Sequence, residues 1–381
     1  MIDRNALLNA LKPLLVLLEK DLRTRSAAEP TIAAKLTAQY EAARANRRTA
    51  EAYTVWRDEL VTQVAVAWVL GTVFIRFLED NELLDHPWIS GPAEGRTAAE
   101  HEREEYFRIN KLHSDRDYLE HVFRSAAGLP GLSHLFDPKH NPLWQFGPSG
   151  DAVTKLLRFW QDRNPDTGTL NHDFTDPAWD TRFLGDLYQD LSEAARKRYA
   201  LLQTPLFIEE FILDRTLDPA IQTFGLKGIR MIDPTCGSGH FVLGGFDRIL
   251  KLWQQAEPAT PIRELAQRAL DSVYGVDLNP FAVAIARFRL LIAALKAVEI
   301  TKLKGAPSFR LNLATGDRCF MGGGFGNPRA TTSINPPSPA AKTPPSATNS
   351  STTTKSRTSR PCTASSGSNT TPSLAIRPTS P

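Results

Sequence analysis

The sequence MIDPTCGSGHF, residues 231 to 241, constrains the fold of this chain more than any other stretch. An apolar strand is predicted to end at Asp233, a turn containing Gly237 and Gly239 follows, and an apolar helix begins at once. Backbone N–H groups of such a turn, with the positive end of a helix behind them, attract a carboxylate or phosphate, and glycine allows close approach. A single glycine-rich turn is about as often a plain tight turn. With its neighbours, however, it predicts a nucleotide-type pocket at the head of a parallel sheet.

Two later strand ends are predicted to meet at this turn. The run from Val273 to Pro280 indicates a second strand that ends in Asp277, and Phe309 to Leu313 alternates as a third strand that leads to Asp317. A carboxylate at the tip of the second strand is placed to accept both ribose hydroxyls of a nucleoside. The carboxylate of Asp317, after the third strand, could accept a hydrogen bond from an exocyclic amine. Three successive strand ends are therefore expected to converge on one crevice.

These motifs carry a resemblance to a known family. DPTCGSGHF, YGVDLNP and ATGD resemble motifs I, II and III of the gamma-type DNA adenine-N6 methyltransferases, and LQTPLFI, from Leu202, is similar to the family's motif X. The N-terminal sequence and the run from Asp176 to Pro205 look like one branch, the adenine methyltransferases of phage-growth-limitation or BREX systems. The resemblance covers about residues 1 to 320.

The resemblance implies S-adenosylmethionine as cofactor and transfer of its methyl group to an adenine flipped out of double-stranded DNA. It makes other phage-defence proteins candidate partners. The residues that it implies for cofactor binding are Thr204, Asp233, Thr235, Gly237, Gly239, Asp277, Asn279 and Asp317.

The order of elements predicts an α/β fold. Residues 196 to 298 alternate as helix, strand, helix, strand, helix, which indicates a parallel, doubly wound, Rossmann-like sheet. Residues 1–195 are predicted to form an all-helical N-terminal module, 196–320 the first half of an S-adenosylmethionine-dependent methyltransferase domain, and 321–381 a Ser/Thr/Pro-rich tail that is aberrant or disordered. Apolar periodicity predicts helices over residues 5 to 25, from Pro30, from Glu51 to Leu83 and from Arg103 to Leu129, with their leucines as core residues.

Composition points to a cytoplasmic protein without a membrane span. The three cysteines have no metal-ligand spacing and indicate a reducing compartment. The start is a charged amphipathic helix, so no signal peptide is expected. The apolar run from Val64 to Ile75 is too short to cross a bilayer and is predicted to be a buried helix.

Two other sites have a functional and a structural interpretation. Acids between Asp166 and Asp180, with His172, could ligate metal, but a solvated turn is favoured and no metal site is predicted. His240 abuts the glycine turn and could be a base. Because methyl transfer from a sulfonium to an amine needs no strong base, His240 is interpreted as a packing residue.

The tail differs from the rest of the chain. Beyond Asp317 there is no acidic residue, but there are seven Lys and Arg residues. Because the net charge of the whole chain is +3, residues 1 to 317 have a net charge of −4. Such a tail is either a disordered arm that binds nucleic acid or a stretch that did not evolve as a protein sequence. The second interpretation is favoured.

The catalytic motif of the family is degenerate here. The resemblance assigns motif IV to Asn335, Pro336 and Pro337, where the Asn side chain and a proline carbonyl would accept from the adenine N6 amine. Ser338 stands where the family has a tyrosine that stacks on the base. The preceding residues, Arg329 to Ser333, do not form a core-strand pattern.

A frameshift between about Met321 and Asn335 is one hypothesis for this change. Shifting the reading frame by two bases permits a strand followed by Asn-Pro-Pro-Tyr over residues 368 to 381, and it restores acids; the coding DNA would decide. The isolated chain is then expected to lack the later strands and the target-recognition domain. It is predicted to bind S-adenosylmethionine weakly or not at all and to methylate no DNA.

Two other functions stay open. The chain could be a non-catalytic fragment that binds DNA or a defence complex, although its net negative body argues mildly against DNA. It could also be a Rossmann dehydrogenase, but the spacing G-x-G-x-x-G is not met, because Val242 stands at the last position.

Overall fold

The computed structural model describes residues 3–92, 96–191, 204–316 and 375–378, all within one compact unit. The predicted site residues Asp317, Asn335, Pro336 and Pro337 lie outside these ranges. Most of the predicted tail also lies outside them.

The first part of the chain is helical. Asp3 begins the first helix, since its carboxylate accepts from the backbone N–H groups of Asn5 and Ala6, both at 3.0 Å. The leucines predicted for the core of this helix, such as Leu11 and Leu18, are fully buried. The helices are α1 Arg4–Ala28, α2 Pro30–Ala45, α3 Tyr53–Asp80, α4 Arg96–Ile109, α5 Asp115–Ala127, a 3₁₀ turn Pro142–Trp144, α6 Gly150–Gln161 and α7 Arg182–Leu191.

The prediction of a single helix from Arg103 to Leu129 is wrong. The chain forms α4 and α5 instead, with a turn between Ile109 and Asp115. Ser114 and Asp117 make a capping box in which the Ser114 N–H donates to Asp117 Oδ2 at 2.8 Å. This cap satisfies the free N–H groups of a new helix start, so it stabilises a break that the charged sequence hides.

Helix α3 contains the apolar run from Val64 to Ile75 and is long and apolar enough to cross a membrane by length and composition. In the fold, 83% of its most apolar window is buried. Its aromatic residues pack against the other helices, with Trp68 and Phe74 fully buried. The predicted buried helix is therefore confirmed.

The second part of the described chain alternates helices with a small sheet. Its elements are α8 Leu206–Phe224, β1 Ile229–Asp233, α9 His240–Ala256, α10 Ile262–Ser272, β2 Val273–Asp277, α11 Pro280–Ala297, β3 Asn312–Thr315 and β4 Ala375–Pro378. Strand β1 pairs in parallel with β2 (Met231 beside Val273), and β2 pairs in parallel with β3 (Asp277 beside Thr315). The predicted parallel arrangement of these three strands is confirmed.

Strand β4 was not predicted from the sequence. It pairs antiparallel with β1, Ile229 lying beside Pro378, and gives the strand order β3-β2-β1-β4. The free edge of β1 is thus paired with a segment from the far end of the chain.

Two predictions for this part of the chain are corrected. Helix α10 lies between Pro261 and β2, where no helix was predicted, and it buries Leu265, Ala266 and Leu270. Strand β3 begins at Asn312 and not at Phe309. The reason is that the N–H of Arg310 donates to the Gln267 side chain at 3.1 Å and does not join the β ladder.

Helix α11 is largely buried and contributes residues to two hydrophobic clusters. Phe281, Ile285 and Phe288 pack into the cluster of α1 to α7, where the Phe288 ring lies 5.2 Å from that of Phe74. Val283 and Leu290 pack with α8, α9, α10 and the sheet. The predicted domain boundary at residue 195 stays a prediction, and α11 connects the two cores.

Candidate functional site

The candidate site centres on the glycine loop, defined here as residues 233–239 between β1 and α9. The N–H of Cys236 donates to the Val276 carbonyl at 3.0 Å, and the N–H of Gly239 donates to the Cys236 carbonyl at 2.7 Å. Gly237 and Gly239 have φ angles of +50° and +89°, which side chains other than glycine rarely adopt. The loop is therefore a turn that needs glycine and is fastened to β2.

Asp277 lies directly against this loop. Its Oδ2 accepts from the Gly237 N–H at 2.9 Å and its Oδ1 accepts from the Asn279 N–H at 2.8 Å. Its backbone carbonyl accepts from the Gly316 N–H at 3.0 Å. The structure thus brings together the ends of β1, β2 and β3, and the carboxylate keeps acceptor capacity on both oxygens.

Asn279 is buried behind Asp277 and starts helix α11. Its Oδ1 accepts from the N–H groups of Phe281 at 3.0 Å and Ala282 at 3.3 Å. Its Nδ2 donates to the Tyr188 hydroxyl at 2.7 Å. The side chain therefore acts as a helix cap and as a link to α7.

Asp233 is the buried acid of the loop. Its Oδ1 accepts from the Thr235 N–H at 3.0 Å, while Thr235 itself is exposed. Burial raises the pKa of the Asp233 carboxyl to about 6, and the charge of Asp277 acts in the same direction. The two carboxyl groups therefore concentrate negative charge at the glycine loop.

Thr204 contacts α7. Its carbonyl accepts from Arg182 Nη2 at 2.5 Å, and Arg182 Nη1 also pairs with the buried Glu209 at 2.7 Å. The cofactor-binding role that the family resemblance implies for Thr204 stays a prediction.

The residues that the sequence did not single out lie mainly on α7. A Cβ at Gly185 would lie 2.8 Å from Ser238 Cβ, so the helix packs directly on the glycine loop. Arg289 of α11, which is buried, donates from Nη1 to the Ser238 carbonyl at 2.6 Å. The sequence signal that could have pointed to α7 is FLGDLYQ, within the run from Asp176 to Pro205. In it the small residue Gly185 stands between apolar and polar residues.

His240 is buried at the start of α9. Its Nε2 lies 3.6 Å from Asp186 Oδ1 and 3.5 Å from Ser238 Oγ. Burial lowers the pKa of His240 to about 4, so the ring is neutral at neutral pH. This burial agrees with its interpretation as a packing residue.

The acidic run from Asp166 to Asp180 forms turns, as Asn164 and Asp176 accept from nearby backbone N–H groups. His172 stacks on Phe159 with ring centroids 4.7 Å apart. Among the residues that the structure describes, no group of three or more His, Cys, Asp or Glu could hold a metal ion.

Comparison with known proteins connects this geometry to a family. Residues 220–322, which include the glycine loop and Asp277, match the family model described as MmeI, DNA-methyltransferase domain. The adenine-specific methyltransferase PglX of Streptomyces coelicolor is 50% identical over 333 residues, or 85% of this chain. Over this span the chain is similar to PglX. The family resemblance predicted from the motifs is therefore confirmed.

The chain spans about a quarter (27%) of the length of that relative. A putative type II restriction enzyme and methyltransferase of Methanocaldococcus jannaschii is 30% identical over 99 residues, which are 25% of this chain and 8% of that protein. The chain is therefore similar to a part of each of two much longer proteins.

Proposed function

We propose that this chain carries the cofactor-binding half of an S-adenosylmethionine-dependent DNA adenine-N6 methyltransferase with a Rossmann-like core. The observation that carries the proposal is the hydrogen bond from the Gly237 N–H to Asp277, because it joins the glycine loop and the second-strand carboxylate at one edge of the sheet. The match of residues 220–322 to a DNA-methyltransferase domain supports it.

The chemistry of the donor set fits the cofactor. A Cβ built on Gly237 would meet no atom within 4 Å, so there is open space over the loop. Asp277 has lone pairs left for the two ribose hydroxyls, and Leu278 beside it is 60% exposed and offers an apolar surface for a purine. Asp233 would attract the ammonium group of the methionine part. Thr204, Thr235, Gly239, Asn279 and Asp317 are proposed to complete the site.

When bound, S-adenosylmethionine supplies an electrophilic methyl group. The part of the chain described here would orient that group, and orientation of two reactants accounts for much of the rate in such transfers. In the whole protein, an adenine flipped out of the DNA duplex would be the acceptor. We place this reaction in the cytoplasm, within a phage-defence system of the BREX or restriction–modification type.

The isolated chain is proposed to be inactive. Asn335, Pro336 and Pro337 would hold the adenine amine, but Ser338 follows them and cannot stack on a base as an aromatic ring does. Loss of the real motif by a frameshift is the proposed cause, and sequencing of the coding DNA tests it.

The class of cofactor is tested by ligand-observed NMR with S-adenosylmethionine and with NAD, because this method detects weak binding. The expected result is a saturation-transfer signal from S-adenosylmethionine that sinefungin, an analogue, removes. A signal from NAD alone would refute the proposal and would favour a dehydrogenase.

A further inference from the structure

Helix α7 packs on the proposed cofactor site from the helical side of the molecule. Three of its residues, Gly185, Asp186 and Tyr188, contact the glycine loop, the start of α9 and the start of α11, and are called the α7 clamp here. Gly185 leaves room for Ser238, whose Cβ would lie only 2.8 Å from a Cβ at position 185. Asp186 Oδ1 lies 3.6 Å from His240 Nε2 at the first residue of α9.

Tyr188 holds the turn after β2. Its hydroxyl accepts from Asn279 Nδ2 at 2.7 Å, and its ring packs edge-on against Phe281 with centroids 5.1 Å apart. Asn279 in turn donates its backbone N–H to Asp277. The hydrogen bond from Asn279 to Tyr188 therefore connects α7 to the turn that contacts the proposed ribose acceptor.

The α7 clamp is itself fixed to the first helix of the chain. Arg4 of α1 pairs with Asp186 at 3.0 Å and with Asp190 at 2.9 Å. Arg182 pairs with Glu209 of α8 at 2.7 Å. Helix α7 thus connects α1 and α8 with the glycine loop.

We propose that the α7 clamp positions the glycine loop and the Asn279 turn for the adenosyl cofactor, so that the N-terminal helices control cofactor affinity. Gly185, Asp186 and Tyr188 are positioning residues, since their contacts are with the loop, with His240 and with Asn279. The identity of the ligand rests on the proposed function, whereas the positioning is a property of the chain's own contacts.

The first test is hydrogen exchange measured by mass spectrometry on the full chain without ligand. Tyr188→Phe removes the acceptor for Asn279 Nδ2 and is expected to raise exchange of peptides covering residues 277–284 by roughly five- to tenfold, as loss of one hydrogen bond predicts. The matched control is Tyr118→Phe, which removes a partly buried hydrogen bond of 2.8 Å to the Trp88 carbonyl within the helical cluster. Equal exchange of these peptides in both variants would overturn the proposal.

Gly185→Ala gives an independent test. Its methyl group would push against Ser238, and exchange of peptides over residues 233–243 is expected to rise. Gly71→Ala is the matched control for Gly185→Ala. Its Cβ would meet Phe123 Cε1 at 2.9 Å in the helical cluster, away from the glycine loop. An effect of Gly71→Ala on the glycine loop as large as that of Gly185→Ala would contradict a specific role of α7.

The second readout is binding of S-adenosylmethionine at a temperature where the variants are folded. Tyr188→Phe is expected to weaken binding about five- to tenfold, and Tyr118→Phe to leave it unchanged. If no variant, including the natural chain, binds the cofactor, the proposed function fails, while the exchange data still decide the positioning. If binding is equal in both variants, the control of affinity by α7 is refuted.

Discussion

The backbone N–H of Gly237 donates a hydrogen bond of 2.9 Å to Oδ2 of Asp277, forty residues further along the chain. This contact places the open side of a glycine loop beside a carboxylate that still has acceptor capacity. The N–H groups of Thr235, Cys236, Gly237 and Gly239 are already bonded within the protein, so the group that this edge offers to a ligand is the Asp277 carboxylate, an acceptor for hydroxyl groups. Every proposal about the cofactor depends on this relationship.

Cofactor affinity is predicted to rise with pH because of Asp233. Its pKa is raised from 3.8 to about 6 by burial first and by the charge of Asp277 second. If the ammonium group of the ligand binds only the ionised form, affinity should increase about tenfold from pH 5 to pH 7. Titrations of S-adenosylmethionine by NMR at several pH values measure this slope.

The control for this prediction is Asp233→Asn, which should flatten the slope. Cys236 and Asp277 also face Asp233 and remain in the variant. The same raised pKa means that the folded state binds the proton more tightly than the unfolded chain, so Asp233 lowers the free energy of unfolding as pH rises from about 4 to 6. If the cofactor affinity of Asp233→Asn still rises with pH, a group other than Asp233 causes the rise.

Gly239→Ala is predicted to destabilise the fold more than Gly168→Ala. Both glycines have positive φ angles, +89° and +69°. A Cβ at Gly239 would lie 2.9 Å from Ala286 Cβ, whereas a Cβ at Gly168 would meet nothing within 4 Å. The positive φ strains each variant by about 1 kcal/mol or more, and the clash adds roughly 1–3 kcal/mol for Gly239 alone. Thermal unfolding measures the difference, and equal Tm values would show that the glycine loop moves freely away from α11.

Arg76→Met is predicted to lower the free energy of unfolding by about 3–5 kcal/mol, because it leaves two buried carboxylates without their partner. Arg76 donates to Glu79 at 2.9 Å and to Asp80 at 2.8 Å, and all three side chains are fully buried. The control is Arg108→Met at a side chain that is 72% exposed, for which a change below about 0.5 kcal/mol is expected. Urea titrations of both variants provide the comparison.

The cost of Arg76→Met should also depend on pH. Burial raises the pKa of Asp80 to about 7 even with Arg76 present. Below that pH the carboxyl takes up a proton and needs the guanidinium less, so the destabilisation should be smaller at pH 5.5 than at pH 8. An effect that is the same at both values would mean that the lost packing of Arg76, and not its charge, is decisive.

The isolated chain is predicted to transfer no methyl group to DNA. Asn335, Pro336 and Pro337 are followed by Ser338, so the ring that would hold the flipped base is missing. Incubation with tritiated S-adenosylmethionine and phage or host DNA should give counts at background. Incorporation above background that depends on Asp277 would refute the inactivity.

The glycine loop and the strand tips could be predicted from the sequence, because each is a local pattern of a few residues. Strand β1 ends at Asp233 and β2 at Asp277, as the motifs indicate. Helices α1, α2 and α3 likewise follow from the spacing of leucines and from Pro30. Short-range signals of this kind depend little on the rest of the fold.

The contribution of α7 could not be predicted, because its contacts join residues far apart in the sequence. Tyr188 and Asn279 are 91 residues apart, and no spacing rule connects a tyrosine in one helix to the cap of another. The division between α4 and α5 was missed for a different reason. Charged residues hide the apolar period there, and the capping box of Ser114 and Asp117 was the only local sign.

The most direct test of the central claim is saturation-transfer NMR of S-adenosylmethionine with the natural chain, Asp277→Asn and Asp271→Asn. Asp271 pairs with Arg310 on the surface at 2.6 Å and serves as the matched control. A weak signal is expected with the natural chain and with Asp271→Asn, and at least tenfold weaker binding is expected with Asp277→Asn. Equal binding by the natural chain and Asp277→Asn would contradict the account, because the ligand would then not bind at the carboxylate beside the glycine loop.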